Sequence, residues 1–162
     1  MGAVLDGYAV IRTGPDINVP ESSFLFQTAS FHNQAHKHAD CLSFIWQEKG
    51  EEILIDSGKY GYSKDPFRGY FLSTHAHNTV EVNSRSFSRK AKDAYGSGVR
   101  QLKPLADGWL IDTEAPHLSD GYTHRRSVIF RPGAEVIVFD HVQLHDRLTK
   151  AKNDFTVWWH FP

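Results

Sequence analysis

Two His-x-His pairs mark the sequence: His36 and His38 in Gln34-Ala35-His36-Lys37-His38-Ala39-Asp40, and His75 and His77 in Ser73-Thr74-His75-Ala76-His77-Asn78, with Asp56 between them. Residues two apart on a strand point to one face, so each pair is expected to present two imidazoles on one side of a sheet. A neutral imidazole binds metal, and imidazole also shuttles protons near neutral pH, so the cluster suits a divalent cation, acid/base chemistry, or both. Ten histidines in 162 residues produce some close spacings by chance. Two pairs flanking a buried-looking carboxylate argue for a site.

One donor set drawn from three segments is His38, Asp56 and His77. Two imidazoles and a carboxylate satisfy zinc in a four-coordinate site with water or a further group in the fourth position, and they suit iron or manganese as well. Asp40, on the same face as His38 if the strand is regular, is expected to orient an imidazole. The competing role for Asp56 is that of a strand-end carboxylate capping the following turn. Whichever of His36 and His75 lies outside the metal sphere joins a phenol, Tyr60 or Tyr62, as an acid/base pair able to take an acidic carbon proton or protonate a leaving oxygen. Arg68 offers a planar fork to an anionic substrate group.

These residues need a scaffold, and the chain supplies the composition of one. At 162 residues it is expected to form one domain with a substantial core, and 40% hydrophobic and 23% charged residues are ordinary globular values. The formal charge is -1. Lys and Arg are spread along the chain, so nothing recommends a nucleic-acid or anionic-membrane partner. Cys41, the single cysteine, excludes an internal disulfide and a thiolate cage, and reads as a small buried hydrophobe. No apolar run approaches a membrane span, and no signal peptide is visible. The abrupt end on Trp158-Trp159-His160-Phe161-Pro162 suggests a truncation or a domain boundary, so a part of a longer protein is expected.

Alternating and β-branched or aromatic runs recur, and no stretch sustains a capped 3.6-residue apolar period. Strands are expected near Tyr8–Thr13, Ser23–Thr28, Leu42–Gln47, Glu52–Asp56, Asn78–Val82, Gly98–Lys103, Trp109–Glu114, Thr123–Phe130, Glu135–His141 and Phe155–Phe161. Trp46–Glu52 and Arg131–Ala134 read as hairpin turns. The fold class is all-β, an antiparallel β-sandwich of about ten or more strands. Asp56–Tyr62 is expected to be a functional Gly- and Tyr-rich loop, and Asp65–Leu72 to hold a short helical turn.

The order of these motifs is recognisable. The run His36-Lys37-His38-Ala39-Asp40-Cys41-Leu42-Ser43-Phe44, then Gly50, Ile53-Leu54-Ile55-Asp56-Ser57-Gly58, Tyr62 and Arg68 through Val80 resembles the heparinase II/III-like family. Gly121–Val128 and Val136–Asp140 look like that family's later strands. The resemblance implies a β-sandwich that follows a helical toroid in the parent protein, with an anionic polysaccharide in the cleft between them. It also implies β-elimination on uronate-containing chains by a parent protein that is periplasmic or secreted. His36 matches the family's sandwich histidine, and zinc held by His38, Asp56 and His77 is implied as well. Tyr60 or Tyr62 falls on the substrate side; Arg68 and His75 are the candidate substrate-binding residues, and the resemblance gives His75 no role. A toroid is absent from this chain, so the isolated module is expected to lack turnover. Two further readings are a non-catalytic carbohydrate-binding or structural module and a cupin-like metal enzyme, the second poorly matched in its glycine spacing.

Overall fold

The computed structural model describes residues 1–14 and 22–162. Eleven strands lie among them: β1 (Gly2–Leu5), β2 (Tyr8–Arg12), β3 (Ser23–Thr28), β4 (Phe44–Glu48), β5 (Glu51–Leu54), β6 (Val80–Val82), β7 (Gly98–Pro104), β8 (Trp109–His117), β9 (Tyr122–Arg131), β10 (Glu135–Leu144) and β11 (Phe155–Val157). β1 to β5 form one antiparallel meander, β7 to β10 a second in the order β10-β9-β8-β7, and β11 pairs with β6. The expected antiparallel β-sandwich is what the chain adopts. No helix among the described residues is long and apolar enough to cross a membrane.

Both expected hairpins form. Lys49 and Gly50 take φ of 51° and 80°, the pair of left-handed residues that a tight β4–β5 turn requires. At the other hairpin Ala134 N–H donates to Arg131 O at 3.0 Å, with Gly133 at φ 76°. Gly108 is needed for another reason: a Cβ there would lie 2.2 Å from the carbonyl oxygen of Phe130.

The core is layered. Ala9, Ile11, Leu25, Phe44 and Leu54 of the first sheet meet Ile111, Val128 and Phe130 of the second. A separate apolar cluster of Phe31, Ala39, Cys41, Leu42, Val82, Phe87, Ala115 and Tyr122 lies under the histidine-bearing loops. Each fully buried aliphatic or aromatic side chain contributes about 1.5–3 kcal/mol. A polar stratum separates the clusters, because the inward alternation of β9 runs Tyr122, His124, Arg126, Val128, Phe130 and that of β8 includes Thr113. Gln27 Nε2 donates to Thr113 Oγ1 at 3.2 Å and Thr113 Oγ1 donates to Arg126 O at 2.9 Å, while Gln27 Oε1 is buried without a hydrogen-bond partner.

Several expected boundaries move. β1 was not anticipated, because four residues of an edge strand carry little alternation. Leu42 is not in a strand: it is buried at φ 64°, a left-handed conformation unusual for a bulky residue. The last strand stops at Val157 instead of Phe161, because the Asn78 side chain takes the place of a backbone partner and accepts from His160 N–H at 2.7 Å. The expected helical turn is α1 (Pro66–Phe71). Asp65 caps it by accepting from Arg68 N–H at 2.9 Å, and a proline opens its first turn.

Candidate functional site

The histidine pairs are not on strands. His36 and His38 lie in the β3–β4 loop, His75 in a 3-10 turn over Thr74–Ala76, and His77 at that turn's C-terminal cap. The two-residue spacing therefore does not put either pair on a common sheet face. Tertiary folding regroups them across pairs.

The β3–β4 loop is fixed by many short bonds. Asn33 Oδ1 accepts from Ala35 N–H at 2.8 Å, Ala39 N–H reaches Leu72 O at 3.1 Å, and Leu42 N–H reaches Thr28 O at 2.8 Å. His36 itself sits at φ 58°. A left-handed non-glycine residue costs on the order of 1–3 kcal/mol and persists where its surroundings over-determine it. Asp40, expected to orient an imidazole, instead accepts from the Lys37 ammonium, its neighbour one turn back. Burial pushes the Cys41 thiol up to about 11, which leaves it a protonated packing group, as its apolar neighbours suggest.

His38, Asp56 and His77 come together from three segments. Asp56 takes the turn-capping role with one oxygen and meets His77 with the other. Oδ1 accepts from Gly58 N–H at 2.8 Å and closes the turn, while Oδ2 lies 2.8 Å from His77 Nδ1. The rings of His38 and His77 stand 5.3 Å apart, centre to centre. His77 Nε2 faces the carbonyl of Phe71 at 3.2 Å. Burial opposes ionisation of Asp56, but the His77 hydrogen bond and charge outweigh it, so its carboxyl sits below the usual range. Burial lowers the His38 pKa, and His77 adds to the effect against the pull of Asp40. Among the described residues, no three His, Cys, Asp or Glu side chains already stand at cation-ligating separations. Asp56 and His77 close directly on one another instead.

His36 faces the other way. Its Nδ1 lies 3.4 Å from the Tyr62 hydroxyl, which also accepts from Lys59 Nζ at 2.6 Å. The Arg68 guanidinium stands 5.2 Å from the Tyr62 ring centre and donates to Gly61 O. Of the two tyrosines, Tyr62 is therefore the one beside the histidine. Tyr60 stacks on Phe71 at 5.5 Å between ring centres. His75 joins neither group: its Nε2 lies 2.6 Å from Oε1 of the buried Glu81, and its ring is 5.0 Å from that of Trp158.

Two residues outside the expected set hold the site together. Arg126, fully buried on β9, donates from Nη1 to Leu42 O at 2.9 Å and also to Asn78 O. It grips the chain next to both histidine-bearing segments. Asp140 receives its Nε at 2.7 Å and Nη2 at 3.0 Å, and lies 2.7 Å from His124 Nε2. Burial opposes ionisation of Asp140, yet the His124 and Arg126 hydrogen bonds hold its carboxyl down to about 2. Asn78 is the second stitch, donating from Nδ2 to Phe44 O at 2.9 Å and Ile55 O at 2.7 Å. A lone Arg or Asn inside a strand-like run carries no sequence signal of this role.

A cleft opens beside His36. His36 and Arg68 line a cavity of about 700 Å³ whose other wall is the β6–β7 loop, bringing Arg89, Lys90 and Lys92 beside them. Five of the chain's 18 Lys and Arg residues line it: Lys37, Arg68, Arg89, Lys90 and Lys92. Ser88-Arg89-Lys90-Ala91-Lys92 was the available local signal; the approach of Arg68 and Lys37 to it is tertiary.

The comparisons with known proteins agree with this architecture. The crystal structure of heparan sulfate lyase HepC from Pedobacter heparinus superposes with a TM-score of 0.73 at 20% identity, covering 89% of this chain and 22% of that one. A structure described as the heparinase III BT4657 gene product gives 0.72 at 22% identity, with the same coverages of 89% and 22%. At such identities the likeness concerns the fold, and this chain spans about 22% of the length of those proteins. None of the curated proteins compared with the sequence matches it. The family described as heparinase II/III-like, C-terminal, matches residues 5–162. This match over nearly the whole sequence, on a sandwich of the same fold, places the chain in the heparinase II/III-like C-terminal family.

Proposed function

We propose that this chain is the β-sandwich part of a polysaccharide lyase that cleaves anionic, uronate-containing glycans by β-elimination. The rest of the cleft, including a helical toroid, comes from elsewhere in the parent protein. The observation that carries the reading is His36, held at the mouth of a cationic cleft and 3.4 Å from the Tyr62 hydroxyl. In the reaction a base takes the proton from C5 of the uronate and the C4–O bond breaks as a C4=C5 double bond forms. The leaving oxygen is protonated. His36 and Tyr62 are the groups of this chain placed for the proton transfers. Arg68 is placed to offset the uronate carboxylate, whose neutralisation makes the C5 proton more acidic. Tyr60 and His75 contribute packing at the edge of the site.

Zinc held by His38, Asp56 and His77 belongs to the same proposal. The donor types suit it, Asp56 Oδ2 and His77 Nδ1 already face one another at 2.8 Å, and the His38 ring stands 5.3 Å from that of His77, centre to centre. His38, Asp56 and His77 would hold the metal between three segments, and it would supply a cross-link that keeps the neighbouring loop in place. The cupin-like reading finds no support beside the family match.

Ultraviolet absorbance of the unsaturated product tests the proposal. The parent protein is expected to generate it from a uronate polymer, with His36→Ala lowering kcat by orders of magnitude. The 162-residue chain alone is expected to generate none. A His36→Ala parent of undiminished rate, or an active isolated chain, would overturn the assignment.

A further inference from the structure

Tyr95, in the β6–β7 loop, carries a side chain that its backbone does not favour. It sits at φ 73° beside Gly96 at φ 87°, a tight turn that glycine or asparagine makes with less strain. For a bulky residue this conformation is an outlier. Packing offsets little of the strain, since Tyr95 is 73% exposed.

The ring is nevertheless held in place. Tyr95 N–H donates to Phe31 O, and the His32 ring lies 6.1 Å away, centre to centre, within 19° of parallel. The β8–β9 turn brings Leu118, also exposed, to the same place. Tyr95, Gly96, Pro116 and Leu118 line a cavity of about 410 Å³ whose polar rim is Lys92, Asp93 and Ser119. The Ser119 hydroxyl donates to Asp93 and fixes that rim. Lys92 and Ser119 also line the cleft of His36, so one cavity leads into the other.

We propose that Tyr95 is an aromatic platform on which a pyranose ring of the bound glycan stacks, at a second subsite away from the sugar unit at His36. The proposal rests on the lyase reading and extends the path of the glycan beyond the reacting unit. The C–H bonds on one face of a pyranose make an apolar surface that an aromatic face covers, while the sugar hydroxyls reach polar groups at the rim. Stacking of this kind needs no charge, so it serves any pyranose of the chain. Leu118 and Pro116 add apolar surface beside the ring. So small an apolar area falls far short of a protein–protein interface. His32 and the Phe31 carbonyl hold the ring before a ligand arrives, which lowers the ordering cost of binding.

Titration calorimetry on the 162-residue chain tests this with a tetrasaccharide and an octasaccharide of an unsulfated glucuronate–N-acetylglucosamine polymer. The octasaccharide is expected to bind about tenfold more tightly. Raised salt should leave that ratio in place, because stacking is not an interaction between charges. Tyr95→Ala is expected to remove most of the ratio while leaving the tetrasaccharide affinity and the thermal midpoint unchanged, and Tyr95→Phe to keep it. Equal affinity for the two lengths, or a length advantage that survives Tyr95→Ala, would overturn the platform and leave the lyase reading standing. Binding of neither length by this chain would overturn the platform as well; if the parent protein also formed no unsaturated product, both readings would fall.

Discussion

The guanidinium of Arg126 and the carbonyl oxygen of Leu42, 84 residues apart in sequence, are joined by a 2.9 Å hydrogen bond in the interior of the sandwich. Through it the second sheet sets the position of the loop that displays His36 and His38. The same nitrogen reaches Asn78 O, beside His77, so one buried charge fixes both histidine-bearing segments.

Arg126→Met is expected to destabilise the domain by about 3–5 kcal/mol, because it leaves two carbonyls without their partner and the Asp140 carboxylate with His124 alone. Arg126→Lys keeps the charge but cannot span a carboxylate and two carbonyls at once. It should lie between the wild type and the methionine variant in urea unfolding.

Asn78→Asp exchanges a donor for an acceptor facing the carbonyls of Phe44 and Ile55. A loss of about 2–4 kcal/mol is expected. The His77 ring resonances in an NMR spectrum should shift in the same variant, since residue 78 adjoins it in the chain; an unmoved spectrum with full stability would contradict the stitching role.

His117 packs between Phe87, at 4.2 Å between ring centres, and Tyr122, at 4.8 Å. Burial, reinforced by His124, holds its pKa well below 6.5. The unfolded chain then binds a proton that the folded chain refuses, so this contribution to stability is full above about pH 6.5 and is lost as pH falls below it. His117→Phe should unfold less steeply with acidification between about pH 6.5 and 5, measured as urea midpoints. Asp140 acts lower: its stabilisation is present above the ordinary carboxyl value of 3.8 and is lost as pH falls toward about 2.

His36→Gly separates stability from function. Glycine accepts φ 58° without the strain a side chain carries there, so the variant should gain about 0.5–1 kcal/mol in thermal or urea unfolding. The parent protein carrying it should lose turnover. A variant that is less stable than the wild type would show that the His36 ring is held for packing.

Purified chain is expected to carry stoichiometric zinc, measured by elemental analysis, with the metal lost in both His38→Ala and His77→Ala. Metal-free wild type after growth with zinc would leave Asp56 and His77 as a plain hydrogen-bonded pair.

The sequence by itself determined the sandwich. Period-two alternation, turn residues at Lys49-Gly50 and Pro132-Gly133, and the helical turn within Asp65–Leu72 are local signals, and local physics reads them the same way in isolation and in the fold. It also named the side chains that meet, His38 with Asp56 and His77, and His36 with a tyrosine. Only the tertiary structure decided how they meet. The two-residue spacing pointed to a shared strand face, but both pairs sit in loops and turns, where that period has no meaning. Tyr62 rather than Tyr60 stands by His36 because α1 supplies Phe67 and Phe71 to cover Tyr60. Charges scattered over Arg68 and Arg89–Lys92 became one cationic cleft because the β6–β7 loop folds across to the β3–β4 loop. Such long-range juxtapositions depend on loop closure and buried hydrogen bonds such as that of Arg126, which no window of neighbouring residues encodes.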